Sequence, residues 1–221
     1  MEKLQKKINY QFKDLSLLKF ALTHRSMGKN NNERLEFLGD SILGMVISKE
    51  LYQRFAHIDE GKLSRLRSHL VRGQTLAQLS VALELSNNLI LGSGELKSGG
   101  YRRESIQADA VEAIFGAVLL DSNFETTSTV ILGLFETLLN NISPDDSLKD
   151  PKTQLQEYLQ KRGNVLPKYE LTDITGKDHN AIFTINCLLK DQNLQDSESA
   201  KSIKKAEQSC AQTLLKKLKK L

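Results

Sequence analysis

The chain has 221 residues, with 31 Lys and Arg against 27 Asp and Glu, for a formal net charge of +4. Hydrophobic residues are 39% and charged residues 26%, the balance of an ordinary core-building protein of one or two domains. No apolar run approaches a membrane span, which excludes a membrane protein of helical type. Met1-Glu2-Lys3-Leu4-Gln5-Lys6-Lys7 has no signal-like apolar region behind it, so the cytoplasm is the expected compartment. Cys187 and Cys210 lie far apart, and neither has a second Cys at metal-ligand spacing. Each is expected to pack as a small apolar residue.

Residues 3–8 open with helix-like apolar spacing, and residues 14–22 read as an amphipathic helix with Asp14 as N-cap. In Thr23-His24-Arg25-Ser26, His24 has no evident Ser or Cys partner and is assigned a structural hydrogen-bonding role. Asn30-Asn31-Asn32 is a polar break that can cap the next helix, which runs to about Phe55. On that helix Glu36 and Asp40 are four residues apart and share a face, and Glu33 falls close to Asp40 in angle. Leu35, Leu38, Ile42 and Val46 form the stripe expected to meet a core. Phe37 falls off that stripe, beside Ser41 and Gly44, where it can fill a second subunit's pocket or make an ordinary internal contact.

Residues 57–61 read as a turn, residues 62–71 as a helix with Arg65, Arg67 and Arg72 exposed, and residues 74–85 as another helix. The Gly-rich stretch 91–103 lacks the GxxxxGK[ST] pattern, which excludes a nucleotide-binding loop. It reads as a mobile basic loop, either touching phosphates or simply lying on the surface. Residues 105–120 are nearly all apolar, with Asp109 and Glu112 as their only charges, three apart on one face. Ser105, Ala108, Ala113 and Gly116 flank that face and let another helix approach. Two buried carboxylates need a cationic partner. An Arg could serve, and a divalent metal better, since hard cations such as Mg²⁺ take oxygen ligands. Two acidic helix pairs facing one another suit metal-assisted hydrolysis of a phosphate ester. A last helix is expected over residues 126–139.

The polar residues 140–149 break this pattern. Asp150-Pro151 then starts a helix, an N-cap acid followed by Pro at the first helical position, and the helix ends near Arg162-Gly163. Strand-like runs follow at residues 168–175, 181–190 and 193–199, and a helix at about 201–219 closes the chain. Lys201, Lys204, Lys205, Lys216, Lys217, Lys219 and Lys220 stand against a single acid, Glu207, near that end. This is either a nucleic-acid footprint or a solvated helix face.

Asn32-Glu33-Arg34-Leu35-Glu36-Phe37-Leu38-Gly39-Asp40-Ser41 resembles the signature of the bacterial ribonuclease III family. Arg103-Glu104-Ser105-Ile106 with Ala108-Asp109-Ala110-Val111-Glu112-Ala113 resembles that family's second acidic motif. The C-terminal part, with Gly176-Lys177-Asp178-His179 and Ala206-Glu207-Gln208, resembles a double-stranded RNA-binding domain. The resemblance implies an all-α endonuclease domain over residues 1–142, a linker over 143–149, and an α+β (α-β-β-β-α) RNA-binding domain over 150–221. It implies a homodimeric endoribonuclease that uses Mg²⁺, with Mn²⁺ as a substitute, and leaves 5′-phosphate and 3′-hydroxyl ends on double-stranded RNA. The work implied is maturation of rRNA precursors and other structured RNAs, tRNA and mRNA among them.

By the same resemblance Glu36, Asp109 and Glu112 hold the metal, and Asp40 and Glu112 are catalytic, with Glu33 and Glu60 as supporting acids. Phe37 lies at the dimer interface, and Thr153, Gln156, Glu157, His179, Lys204 and Lys205 contact RNA. Such domains read A-form shape, 2′-hydroxyls and phosphates over about 16 base pairs. The chain departs from the family pattern at Glu198 and Ala200, where glycines are usual, at Ile203, where Lys is usual, and at Lys177, where Pro is usual. These departures imply a weaker phosphate grip at the last helix. The rival reading is a catalytically silent double-stranded RNA-binding regulator whose acidic helices are structural.

Overall fold

The computed structural model describes residues 1–144, 150–176 and 180–219. They divide into two compact units, Met1–Pro144 and Asp145–Leu221. Most of the linker expected at 143–149, and the hairpin residues Lys177, Asp178 and His179, lie outside the described residues.

The first unit is helical: α1 (Glu2–Lys7), α2 (Leu15–Ala21), α3 (Glu33–Arg54), α4 (Glu60–Val71), α5 (Gly73–Ala82), α6 (Ser93–Lys97), α7 (Glu104–Asp121) and α8 (Phe124–Asn141). Helix α7 is its axis. A mostly apolar helix whose only charges between its ends are Asp109 and Glu112 must be covered on nearly every other side, and Ile106, Ala110, Val111, Ala113 to Val118 are all buried. Helices α2, α3, α5 and α8 pack around it. Its buried polar residue Gln107 is satisfied at both ends, accepting from Ser80 Oγ at 2.9 Å and donating to the Tyr101 carbonyl at 2.8 Å. At its C-terminal end Asp121 accepts from the Tyr10 hydroxyl at 2.6 Å and from the Lys13 and Asp14 amides at 2.8 and 2.9 Å, which ties down the chain before α2.

Local chemistry explains most boundaries. Asp14 caps α2 through the Ser16 amide, and Asn123 caps α8 through the Thr126 amide. Helix α4 starts at Glu60, earlier than expected, because Asp59 accepts from the Lys62 amide and draws Glu60 and Gly61 into the first turn. At the start of α3 the N-cap position is Asn32, which makes no side-chain cap bond, and it is Asn31 Oδ1 that accepts from the Glu33 amide, at 2.9 Å. Asn32 is instead buried, its side chain donating to the Ala21 carbonyl at 3.2 Å. On α3, Leu35, Ile42 and Val46 are buried as expected, but Leu38 is only partly covered. Gly39 takes the contact with α7 in its place.

The stretch 91–103 is not the open loop that its glycines suggest. It folds into α6 and a 3₁₀ turn, Gly100–Arg102. Arg103 Nη1 pairs with Glu95 at 2.9 Å, and Glu95 packs so closely on Gly100 that a Cβ there would overlap it.

The second unit has the order α9 (Pro151–Gln160), β1 (Lys168–Thr175), β2 (Ile182–Leu189), β3 (Leu194–Ala200) and α10 (Ile203–Leu218). The sheet is antiparallel in the order β1-β2-β3, with a register shift between Leu171 and Asp173. Alternation along β2 buries Ile185, Cys187 and Leu189 against Leu155 and Leu159 of α9 and Cys210, Ala211 and Leu214 of α10. Both cysteines are core residues, and burial pushes each thiol up to about 11, far from the thiolate that reacts. Asp150 caps α9 through the Lys152 amide and also bonds Gln208 of α10. Lys152 Nζ reaches Glu207 at 2.7 Å.

Candidate active site

Helices α3 and α7 cross at their glycines. A Cβ on Gly39 would overlap the Glu112 carbonyl, and a Cβ on Gly116 would overlap the Leu35 carbonyl. This backbone-to-backbone contact brings Glu36 of α3 against Asp109 and Glu112 of α7. One carboxylate oxygen from each of the three lies within 4.8 Å of the others. All three residues are half-buried, while Asp40 is exposed. Asp40 is therefore a neighbour of the cluster rather than part of the three-oxygen set.

Crowding shows in the proton affinities. Burial, then Asp40, Glu36 and Asp109, pushes the Glu112 carboxyl up to about 8. Burial also raises Glu36, with Asp109 and Glu33 adding to it. Burial raises Asp109, although His24 and Arg25 pull it back. Three carboxylates that resist ionising together are a donor set for a hard divalent cation, whose charge would offset the repulsion. The residues present fit such an ion.

A pocket of about 390 Å³ opens beside the cluster, lined by Glu36, Asp109, Glu33, Arg25, Glu95 and Arg103 among others. His24 reaches the same pocket and is buried, with Nδ1 accepting from the Ser26 amide at 3.2 Å and lying 2.9 Å from Ser26 Oγ. Glu60 does not line it. Its carboxylate accepts from Ser64 Oγ at 2.7 Å, in a separate hollow with Tyr52 and Arg67. Of the pocket's cationic side, sequence reasoning reached Arg103, within a basic stretch that could touch phosphates, but not Arg25. Arg25 comes to it through the parallel bridge between Thr23 and Ile90, a pairing that no spacing announces.

Phe37 is 77% exposed and lines an apolar groove with Leu17, Phe20, Leu38 and Leu120. In the second unit Thr153, Gln156, Lys204 and Lys205 are exposed and Glu157 is half-buried. Ser202 caps α10 through the Lys205 amide. Of the family departures, Glu198 accepts from Thr213 Oγ1 at 3.3 Å, Ala200 packs on the core, and Ile203 is 43% exposed. Among the described residues, no helix is long and apolar enough to cross a membrane.

Crowded carboxylates on a helical unit, followed by an α-β-β-β-α unit, define a nuclease that carries its own RNA-binding module. Residues 14–142 match the description Ribonuclease-III-like, and residues 151–218 match the double-stranded RNA binding motif. The chain belongs to the ribonuclease III family. It is 54% identical over 218 residues to Ribonuclease 3 of Aliivibrio fischeri, covering 99% of this chain and 98% of that one. The nuclease domain of ribonuclease III from Campylobacter jejuni is similar in structure, with a TM-score of 0.62, 42% identity, and coverage of 65% of this chain and 98% of that one. A second structure of that domain, concerned with flexibility in a region involved in dimer formation, has a TM-score of 0.60 and 44% identity, covering 62% of this chain and 96% of that one.

Proposed function

We infer that this chain is an endoribonuclease that hydrolyses phosphodiester bonds in double-stranded RNA, works as a homodimer, and uses Mg²⁺, for which Mn²⁺ substitutes. The observation that carries the reading is the approach of Glu36, Asp109 and Glu112 oxygens within 4.8 Å of one another, on a chain that continues into a double-stranded RNA binding motif.

Glu36, Asp109 and Glu112 would hold the ion. When bound, it supplies Lewis acidity to the phosphate and to water in the pocket. Asp40, exposed beside Glu112, orients the attacking water and takes its proton, alone or with Glu112. A bond forms from the water oxygen to phosphorus and the bond from phosphorus to the 3′-oxygen breaks, leaving 5′-phosphate and 3′-hydroxyl ends. Glu33 supports the set by adding negative charge beside Glu36, which draws a cation to the cluster. The module over residues 150–221 supplies affinity through Thr153, Gln156, Glu157, His179, Lys204 and Lys205.

Dimerisation is supported by the exposed Phe37 and its apolar surroundings. A two-fold axis would set one acidic cluster against each strand of a duplex. Maturation of rRNA precursors and other structured transcripts in the cytoplasm is the work this activity suits.

The test is incubation with a long RNA duplex in Mg²⁺ and in EDTA. Metal-dependent fragments with 5′-phosphates are expected. A mobility shift with no fragments in either condition would instead support a silent RNA-binding regulator.

A further inference from the structure

The pocket beside Glu36 and Asp109 has walls of opposite sign. Its lining carries the carboxylates Glu33, Glu36, Glu95 and Asp109, and its two guanidinium groups are those of Arg25 and Arg103. A phosphodiester is an anion, so the acidic wall repels it. We propose that Arg25 and Arg103 form the phosphate-holding wall of this pocket and grip the RNA strand beside the bond that is cut. The proposal rests on the nuclease reading above.

Both arginines keep donors for the task. Arg25 meets Glu33 at 3.8 Å, a loose pair, and its side chain is 72% exposed. Arg103 meets Glu95 through Nη1 at 2.9 Å and Ser98 Oγ through Nη2 at 3.4 Å. A guanidinium has five N–H groups in a planar fork that matches two phosphate oxygens. An ammonium in the same place would lack that fork.

Neither arginine hangs on a free loop. Ser26 Oγ accepts from the Gly92 amide at 2.8 Å, and a Cβ on Gly92 would overlap the Ser26 carbonyl. The His24 amide donates to the Ile90 carbonyl at 3.0 Å. The segment bearing Arg25 is thus locked to the segment that leads, through Glu95, to Arg103. The backbone under both arginines is set before any substrate arrives, and Arg103 is also fixed by Glu95, which lowers the ordering cost of gripping a phosphate.

The experiment uses the full chain, a short RNA duplex, and Ca²⁺ in place of Mg²⁺, with affinity measured against salt. For Arg25→Ala with Arg103→Ala we expect about a tenfold loss of affinity. The slope of log affinity on log salt should flatten by about 1.5 units, roughly 0.7–0.9 for each lost phosphate contact. Duplexes with one neutral methylphosphonate linkage, walked along the strand, should weaken wild type at one or two positions near the cut. The double variant should be indifferent at those positions. Arg25→Lys should restore the slope, since it keeps the charge, but only part of the cleavage rate. An unchanged slope with an unchanged methylphosphonate profile overturns the proposal and leaves both arginines as structural ion pairs. If the double variant melts early, Arg25→Ala alone decides, since that exposed side chain can be removed without loss of core. The affinity arm needs no cleavage, so an altered slope in a chain that cuts nothing would retain the wall and reject the nuclease.

Discussion

Gly39 and Glu112 touch through their backbones: a methyl group on the glycine would overlap the carbonyl of the glutamate. The acidic cluster exists because α3 and α7 come this close.

Gly39→Ala should therefore act on both fold and site. Forcing a methyl into backbone contact costs about 1–3 kcal/mol and moves one helix against the other. We expect a lower melting temperature and a cleavage loss larger than the loss of folded protein explains. Gly44→Ala, on the same helix with open space around it, is the control and should melt no lower than wild type, and slightly higher by its gain in helix propensity.

Glu112→Gln keeps the shape and removes a charge. RNA binding in Ca²⁺ should stay within a few-fold of wild type, while cleavage falls by ~10³ or more. Near-normal cleavage at saturating Mg²⁺ would remove Glu112 from the site. The variant also has a stability signature. The Glu112 carboxyl is pushed up to about 8 when folded, above its ordinary unfolded value. The folded chain then binds more protons than the unfolded one, so wild-type stability in EDTA should fall as pH rises from the ordinary carboxylate range to about 8. Glu112→Gln should melt higher than wild type in EDTA at pH 8, and the difference should shrink at pH 5. Thermal melts at the two pH values check this.

Phe37 is 77% exposed, so its removal costs the isolated protomer little. If it fills a partner's pocket, Phe37→Ala should weaken self-association by roughly 2–4 kcal/mol. Sedimentation at falling concentration should show the variant dissociating first, with the unfolding of the dissociated chain unchanged. A wild type already monomeric at micromolar concentration would exclude the interface.

Lys204 and Lys205 are exposed at the start of α10. Changing both to Ala should weaken binding to all duplexes alike and flatten the salt slope by about one to two units. Ile203, 43% exposed, leaves room for a longer side chain. Ile203→Lys should tighten binding and steepen the slope with no loss of melting temperature. An early melt would mean that the partly covered isoleucine matters more to the core than to the RNA.

Patterns local to one element were legible in the sequence. The caps Asp14 and Asp150, the α-β-β-β-α order with its three strand runs, and the acidic pairs on α3 and α7 each follow from spacing within a few residues. Helical and strand periods place those side chains whatever the partner element is. The family motifs added the names of the carboxylates. Stretch 91–103 misled for the same local reason: glycine marks freedom of the chain, not whether a contact such as Glu95 on Gly100 uses it.

Only the tertiary structure decided how the acids divide. Glu36 and Asp40 share a helix face in sequence, yet the crossing at Gly39 takes Glu36 into the three-oxygen set and leaves Asp40 exposed. It also decided that Leu38 turns to the open groove and that Arg25 and Arg103 face the carboxylates. Periodicity gives the angle of a residue about its own helix, but not the depth at which two helices meet. That depth is set by where a backbone can approach a backbone, and here glycine allows it at two points, Gly39 and Gly116.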